Sequence, residues 1–128
     1  MDNKPTILLI DDEGPAVFAI QKHLTDAGFL VTTAFSAQEG LKTAIESHPD
    51  VIILDVMMPA ESGLDILPEL RADPWGKNAK VIIFGNLDDS EHKARTNKYN
   101  VNKYLIKADT PLKDLENIIR QILSKNSR

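Results

Sequence analysis

The residues of this sequence that can do chemistry are a few carboxylates and one lysine. Asp11, Asp12 and Glu13 follow the apolar run Thr6–Ile10. Asp55 follows Val51–Leu54, and Lys107 follows Tyr104–Ile106. Three carboxylates sharing a small pocket repel one another, which raises their pKa values or demands a cation. All-oxygen ligands select a hard ion, and one or two carboxylates with waters and a phosphate suit Mg²⁺. Lys107 adds a second positive charge, suited to a phosphoryl oxygen. Together they describe a phosphoryl-accepting site. A carboxylate attacks phosphorus, while metal and lysine neutralise the equatorial oxygens. Each residue alone has a plainer reading: Asp12 or Glu13 as a helix cap, Asp55 as a turn residue, Lys107 as a solvated lysine. Their conjunction at the strand ends of one sheet favours function.

That conjunction requires a particular scaffold. Thr6–Ile10 is a short, continuous apolar run, read as a strand buried on both faces, and Phe29–Ala34, Val51–Leu54, Val81–Phe84 and Tyr104–Ile106 read as further strands. Amphipathic stretches alternate with them. Pro15 to Ala27 is expected to be helical, with Pro15 in the first turn and Gly28 at the stop. Ser36 and Glu39 form a capping-box pattern for the next helix. Asp55 to Ser62 reads as a loop holding Pro59, Gly63 to Asp73 as a helix, and Asp73 to Gly76 as a turn. Asp88 to Tyr99 reads as a weakly amphipathic helix. Thr110 is expected to cap the last helix, which Pro111 begins. Strict strand–helix alternation predicts a parallel sheet with helices on both faces. In such a sheet ligands bind beyond the carboxyl ends of the strands. With strand order 2-1-3-4-5, Asp11, Asp12 and Asp55 converge.

Composition narrows the alternatives. The chain has 128 residues, one domain's worth. It contains no cysteine, which excludes disulfides, cysteine–zinc sites and thiol nucleophiles. Its net charge of -4 disfavours direct nucleic-acid binding. No apolar run approaches a membrane span, and the N-terminus has no apolar signal core, so a cytoplasmic location is expected.

The same residues resemble the receiver domains of two-component response regulators. The resemblance covers about Lys4 to Leu123. It rests on Asp11-Asp12-Glu13 after the first strand, on Asp55-Val56-Met57-Met58-Pro59-Ala60-Glu61-Ser62-Gly63 in the form D-x-x-M-P-x-x-x-G, and on Tyr104-Leu105-Ile106-Lys107. It implies a flavodoxin-like (βα)5 three-layer α/β sandwich with a parallel five-stranded sheet of order 2-1-3-4-5. Residues 1–128 would form a single receiver domain with no output domain in this chain.

The resemblance also implies roles. Asp55 is the phosphoacceptor, taking its phosphoryl group from a sensor histidine kinase or a histidine phosphotransfer protein. Asp12, Asp55 and the backbone carbonyl of Met57 ligate Mg²⁺ (or Mn²⁺), and Asp11 acts mainly through water. Lys107 binds the phosphoryl group; Pro59 and Gly63 shape the loop. The protein is then a signalling acceptor and not a multiple-turnover enzyme. The family docks downstream proteins on the face of helix 4, strand 5 and helix 5, where Lys93, Arg95, Lys98 and Lys103 fall, and some members form homodimers.

Departures from the family pattern sit at the switch positions. Gly85 stands where the family has Ser or Thr, whose hydroxyl donates to the phosphoryl oxygen. A hydrogen bond to a charged group is worth about 1.5–3 kcal/mol, so its loss weakens the active state. Asn86 stands where a small residue is usual, and its amide either replaces part of the missing donor function or narrows access to Asp55. Tyr104, the aromatic switch position, thereby loses its usual coupling partner. Ala108 replaces a common proline after the lysine, predicting a trans path there.

Other readings are a degenerate receiver that binds partners independently of phosphate, an aspartyl phosphatase and a flavin-binding protein. The phosphatase needs D-x-D, but Met57 occupies the second position. The flavin reading conflicts with the acidic loop after strand one. His23, His48 and His92 read as structural or solvated, and Trp75 as a cover over apolar surface.

Overall fold

Runs of β-branched residues and leucine form the three central strands, which are buried on both faces, while the edge strands Leu30–Ala34 and Lys103–Ile106 are only partly covered. The computed structural model describes residues 4–58, 61–85 and 90–125. Its main-sheet strands are β1 (Thr6–Ile10), β2 (Leu30–Ala34), β3 (Val51–Leu54), β4 (Val81–Gly85) and β5 (Lys103–Ile106). Its α-helices are α1 (Gly14–Asp26), α2 (Ala37–Ser47), α3 (Leu67–Ala72), α4 (Ser90–Asn97) and α5 (Leu112–Lys125). Every neighbouring strand pair is parallel, in the order β2-β1-β3-β4-β5. The expected α/β topology is therefore present.

Alternation along the strands divides the core into two layers. Ile7, Leu9, Ile53, Ile82 and Phe84 pack with Val17, Ile20 and Leu24 of α1 and Leu115 and Ile119 of α5. Leu8, Ile10, Ile52, Leu54 and Ile83 pack with Leu41 and Ala44 of α2 and Leu67 and Leu70 of α3. The α4 helix contributes much less. Among its described side chains only Thr96 is buried, and its hydroxyl donates to the Lys93 carbonyl at 2.8 Å.

Local signals explain most helix ends. Ser36 Oγ accepts from the Glu39 N–H at 3.1 Å, but the Glu39 carboxylate reaches back to Phe35 N–H instead of Ser36 N–H. His48 ends α2 in the left-handed conformation, φ 52°. The Asp73 carboxylate accepts from the N–H groups of Trp75 and Gly76, fixing the predicted turn. Arg71 braces the same end of the molecule, donating to the carbonyls of Gly76, Ala79, Tyr99 and Asn100.

Three local expectations are corrected. Part of the loop after Asp55 is a small antiparallel ladder, Met57–Met58 against Glu61–Ser62. Helix 63–73 is divided, a 3-10 turn at Gly63–Ile66 preceding α3; Pro68 removes a donor N–H where the two meet. At the last helix the Thr110 hydroxyl donates backward to the Ile106 carbonyl at 2.9 Å, and the first turn is closed by Asp114 and Leu115 N–H on the Pro111 carbonyl. The described peptide bonds are all trans, including that at Ala108.

Candidate functional site

The carboxyl ends of β1 and β3 hold the acidic residues together. The sheet ladder runs one residue past each strand: Asp11 N–H donates to the Ala34 carbonyl at 3.1 Å, and Asp55 N–H to Ile10 at 2.9 Å. Both aspartates are thus fixed by backbone bonds at the edge of the core. Asp11 is 1% exposed and Asp55 3% exposed, while Asp12 is half-buried. One carboxylate oxygen from each lies within 4.8 Å of the others. Glu13 N–H donates to Asp11 Oδ1 at 3.0 Å, turning the chain into α1.

Lys107 supplies the counter-charge from the end of β5. Its Nζ donates to Asp11 Oδ2 at 2.7 Å and lies 3.7 Å from Glu13 Oε1 and 3.9 Å from Asp55 Oδ2. Burial works against the ammonium, but the Asp11 hydrogen bond and the charges of Asp55, Asp11 and Glu13 outweigh it. The Lys107 pKa is accordingly raised. Three clustered carboxylates and one lysine leave an excess of negative charge. That donor set fits a hard divalent cation held by carboxylate and carbonyl oxygens.

Two glycines define the pocket in opposite ways. A Cβ on Gly63 would collide with the Asp55 carbonyl oxygen, and Gly63 N–H donates to the Val56 carbonyl at 3.1 Å. Glycine is therefore required where the chain returns against Asp55. A Cβ on Gly85 would meet only ordinary contacts, 3.4 Å from Val56 Cγ2 and 3.5 Å from Asp55 Oδ1. Neither crowding nor a left-handed backbone imposes glycine there.

The structure brings together Asp11, Asp12, Asp55 and Lys107, with Gly63 and Gly85 beside Asp55. The Met57 backbone begins the short ladder two residues after Asp55. Tyr104 is half-buried on β5, with Lys93 Nζ 5.6 Å from its ring centre. Pro59 and Asn86 lie outside the described residues. Sequence reasoning missed the Lys107–Asp11 bond, because strand ends give proximity but not which carboxylate the ammonium prefers. It also missed the partner of His23, whose Nε2 is 2.9 Å from Glu116 Oε1 on α5.

Comparison with known proteins now decides the family. Residues 7–120 match the family model of the response regulator receiver domain. The chain belongs to this receiver family. Transcriptional regulatory protein KdpE of Mycobacterium tuberculosis is 37% identical over 101 residues, 79% of this chain and 43% of its own. A probable transcriptional regulator, ycf27 of Guillardia theta, is 29% identical over 128 residues, 100% of this chain and 49% of its own. This receiver domain thus spans about half the length of these curated relatives, or less. A receiver domain protein from Clostridium thermocellum superposes with TM-score 0.84 at 32% identity, covering 94% of this chain and 95% of that one. The CheY-like receiver domain of Methanospirillum hungatei shares the fold, with TM-score 0.88 at 20% identity and 96% of each chain covered. Receiver domains are phosphoacceptors rather than typical multiple-turnover enzymes, and they work with histidine kinases or phosphotransfer proteins. Among the described residues no helix is long and apolar enough to cross a membrane.

Proposed function

We propose that this receiver domain accepts a phosphoryl group on Asp55 from a phosphohistidine, in a Mg²⁺-dependent reaction whose switch is atypical. The observation that carries this reading is the cluster of Asp11, Asp12 and Asp55 within 4.8 Å, with Lys107 Nζ 3.9 Å from Asp55. An Asp55 Oδ attacks phosphorus, the donor's P–N bond breaks, and an acyl phosphate forms. Asp12, Asp55 and the Met57 carbonyl are the residues to hold the metal, with Asp11 acting through water. The bound metal supplies neutralisation of charge between carboxylates and phosphoryl oxygens. Lys107 exchanges its Asp11 bond for a phosphoryl oxygen, a short movement for a side chain already beside Asp55.

Gly85 has no side-chain hydroxyl to offer from the end of β4. Phosphorylation is therefore accepted but weakly coupled to Tyr104 and the α4–β5–α5 face, where a downstream protein docks. Gly85 also favours a second reading, a degenerate receiver whose binding ignores phosphate. Intact-mass measurement after incubation with phosphoramidate, a simple P–N donor, separates the two. One phosphoryl group is expected, requiring Mg²⁺ and lost in Asp55→Asn. An unmodified protein under the same conditions supports the degenerate reading.

A further inference from the structure

Arg71, Lys77 and Lys80 line a cleft at the amino ends of β4 and β5, across the sheet from the acidic pocket. Asn78, Asn100 and Asn102 complete its polar wall, and among the described residues no carboxylate lines it. Such a concentration of positive charge is unexpected in a chain of net charge -4. The three cations are also unneutralised. Among the described residues Arg71 meets only backbone carbonyls, and Lys77 and Lys80 have no ion-pair partner. Burial lowers the Arg71 pKa from its ordinary value, the direction expected where only dipoles meet the charge.

The donors that remain match an oxyanion. Arg71 Nε is taken by Tyr99, both Nη1 protons by Gly76 and Ala79, and one Nη2 proton by Asn100. Among the described residues, one guanidinium N–H is left without a protein acceptor. Asn102 Oδ1 accepts from Val81 N–H at 2.9 Å, so that amide offers its NH2 group as donor. The cleft volume is about 140 Å³. At roughly 30 Å³ per water, that holds one tetrahedral oxyanion and a few waters, well short of the ~300 Å³ of a drug-sized pocket.

We infer that this cleft is a second, metal-independent site for a phosphate group, either free inorganic phosphate or the end of a small phosphomonoester. Arg71 is the fixed wall, and Lys77 and Lys80 close over the anion from the exposed side. Because Arg71 also braces four carbonyls, the test is placed on the lysines.

The full chain is titrated in EDTA at constant ionic strength with inorganic phosphate, glycerol 3-phosphate or chloride. Amide NMR shifts at Lys77–Val81 and Asn100–Asn102 are followed, with fluorescence of Trp75, the only tryptophan. Phosphate is expected to saturate these shifts while chloride gives none. The double variant Lys77→Gln, Lys80→Gln is expected to bind about tenfold more weakly, as for two partly exposed charged donors, with its spectrum otherwise folded. Tighter binding of inorganic phosphate assigns the free ion; tighter binding of glycerol 3-phosphate assigns a metabolite's terminal phosphate. Non-saturating shifts equal to those of chloride overturn the proposal, as does saturable binding that the double variant leaves unchanged.

Discussion

The two flanks of the Asp55 pocket are built to different standards. On the β1–β3 flank, backbone bonds fix Asp11 and Asp55, Lys107 ties β5 to Asp11, and Gly63 presses its chain against the Asp55 carbonyl. On the β4 flank, Gly85 presents no side chain to Asp55 Oδ1, a Cβ there would make ordinary contact, and α4 buries only Thr96 among its described side chains. The difference separates two tasks of a phosphorylation switch. Accepting a phosphoryl group needs charge and position, which the first flank holds. In the proposed function, transmitting it needs a group that moves with the phosphoryl oxygen, and glycine at position 85 has no side chain to do so.

The largest expected effect breaks the built flank chemically. Asp55→Asn replaces the carboxylate proposed as nucleophile with an amide, so phosphoryl uptake from phosphoramidate should fall below detection by intact mass. Persistent modification of that variant at the wild-type level would place the acceptor elsewhere. Next comes steric breakage. Gly63→Ala drives a methyl into the Asp55 carbonyl and should cost about 2–4 kcal/mol in urea unfolding, seen as a lower midpoint at unchanged slope. A near-neutral result would show that the approach relaxes easily.

The open flank should instead tolerate filling. Gly85→Ser places its Cβ in ordinary contact, so stability should change by less than about 1 kcal/mol. The added donor should tighten retention of beryllofluoride, a phosphoryl mimic, roughly tenfold or more, as for one hydrogen bond to a charged group. Equal retention in both proteins would remove the argument that a hydroxyl is what this flank lacks.

The smallest effect concerns the remote α1–α5 seam. The His23 hydrogen bond, helped by Arg120 and Lys113 and opposed by burial, holds the Glu116 pKa below its ordinary value. A lowered carboxylate pKa contributes stability that is present above the unfolded-state pKa and lost as pH falls through the folded one. Stability should therefore decline on acidification below the usual carboxylate range, and Glu116→Gln should flatten that decline. An acid limb of unchanged steepness in the variant would assign the decline to other groups.

The sequence was most legible where one physical rule dominated. Apolar runs such as Val51–Leu54 read as strands buried on both faces, and their alternation with helices implies a parallel sheet, while the order 2-1-3-4-5 rests on the family resemblance. Asp11, Asp12, Asp55 and Lys107 were legible as a site because strand ends place them. Elements governed by contacts distant in the chain were not. The Met57–Ser62 ladder depends on the return of Gly63 to Asp55, and the bond between His23 and Glu116 spans α1 and α5. Trp75 does cover apolar surface as read, but its stacking on His48, with ring centres 4.7 Å apart, depends on the end of α2. The preference of Lys107 for Asp11 over Asp55 is a matter of about an ångström, below what residue spacing can express.

Amide NMR with Mg²⁺, before and after adding beryllofluoride, tests the central claim most directly. The account predicts large shifts at Asp12, Asp55 and Lys107, with Tyr104 and α4 moving little in the natural chain and more in Gly85→Ser. No response in the pocket, or full propagation to Tyr104 and α4 in the natural chain, would contradict it.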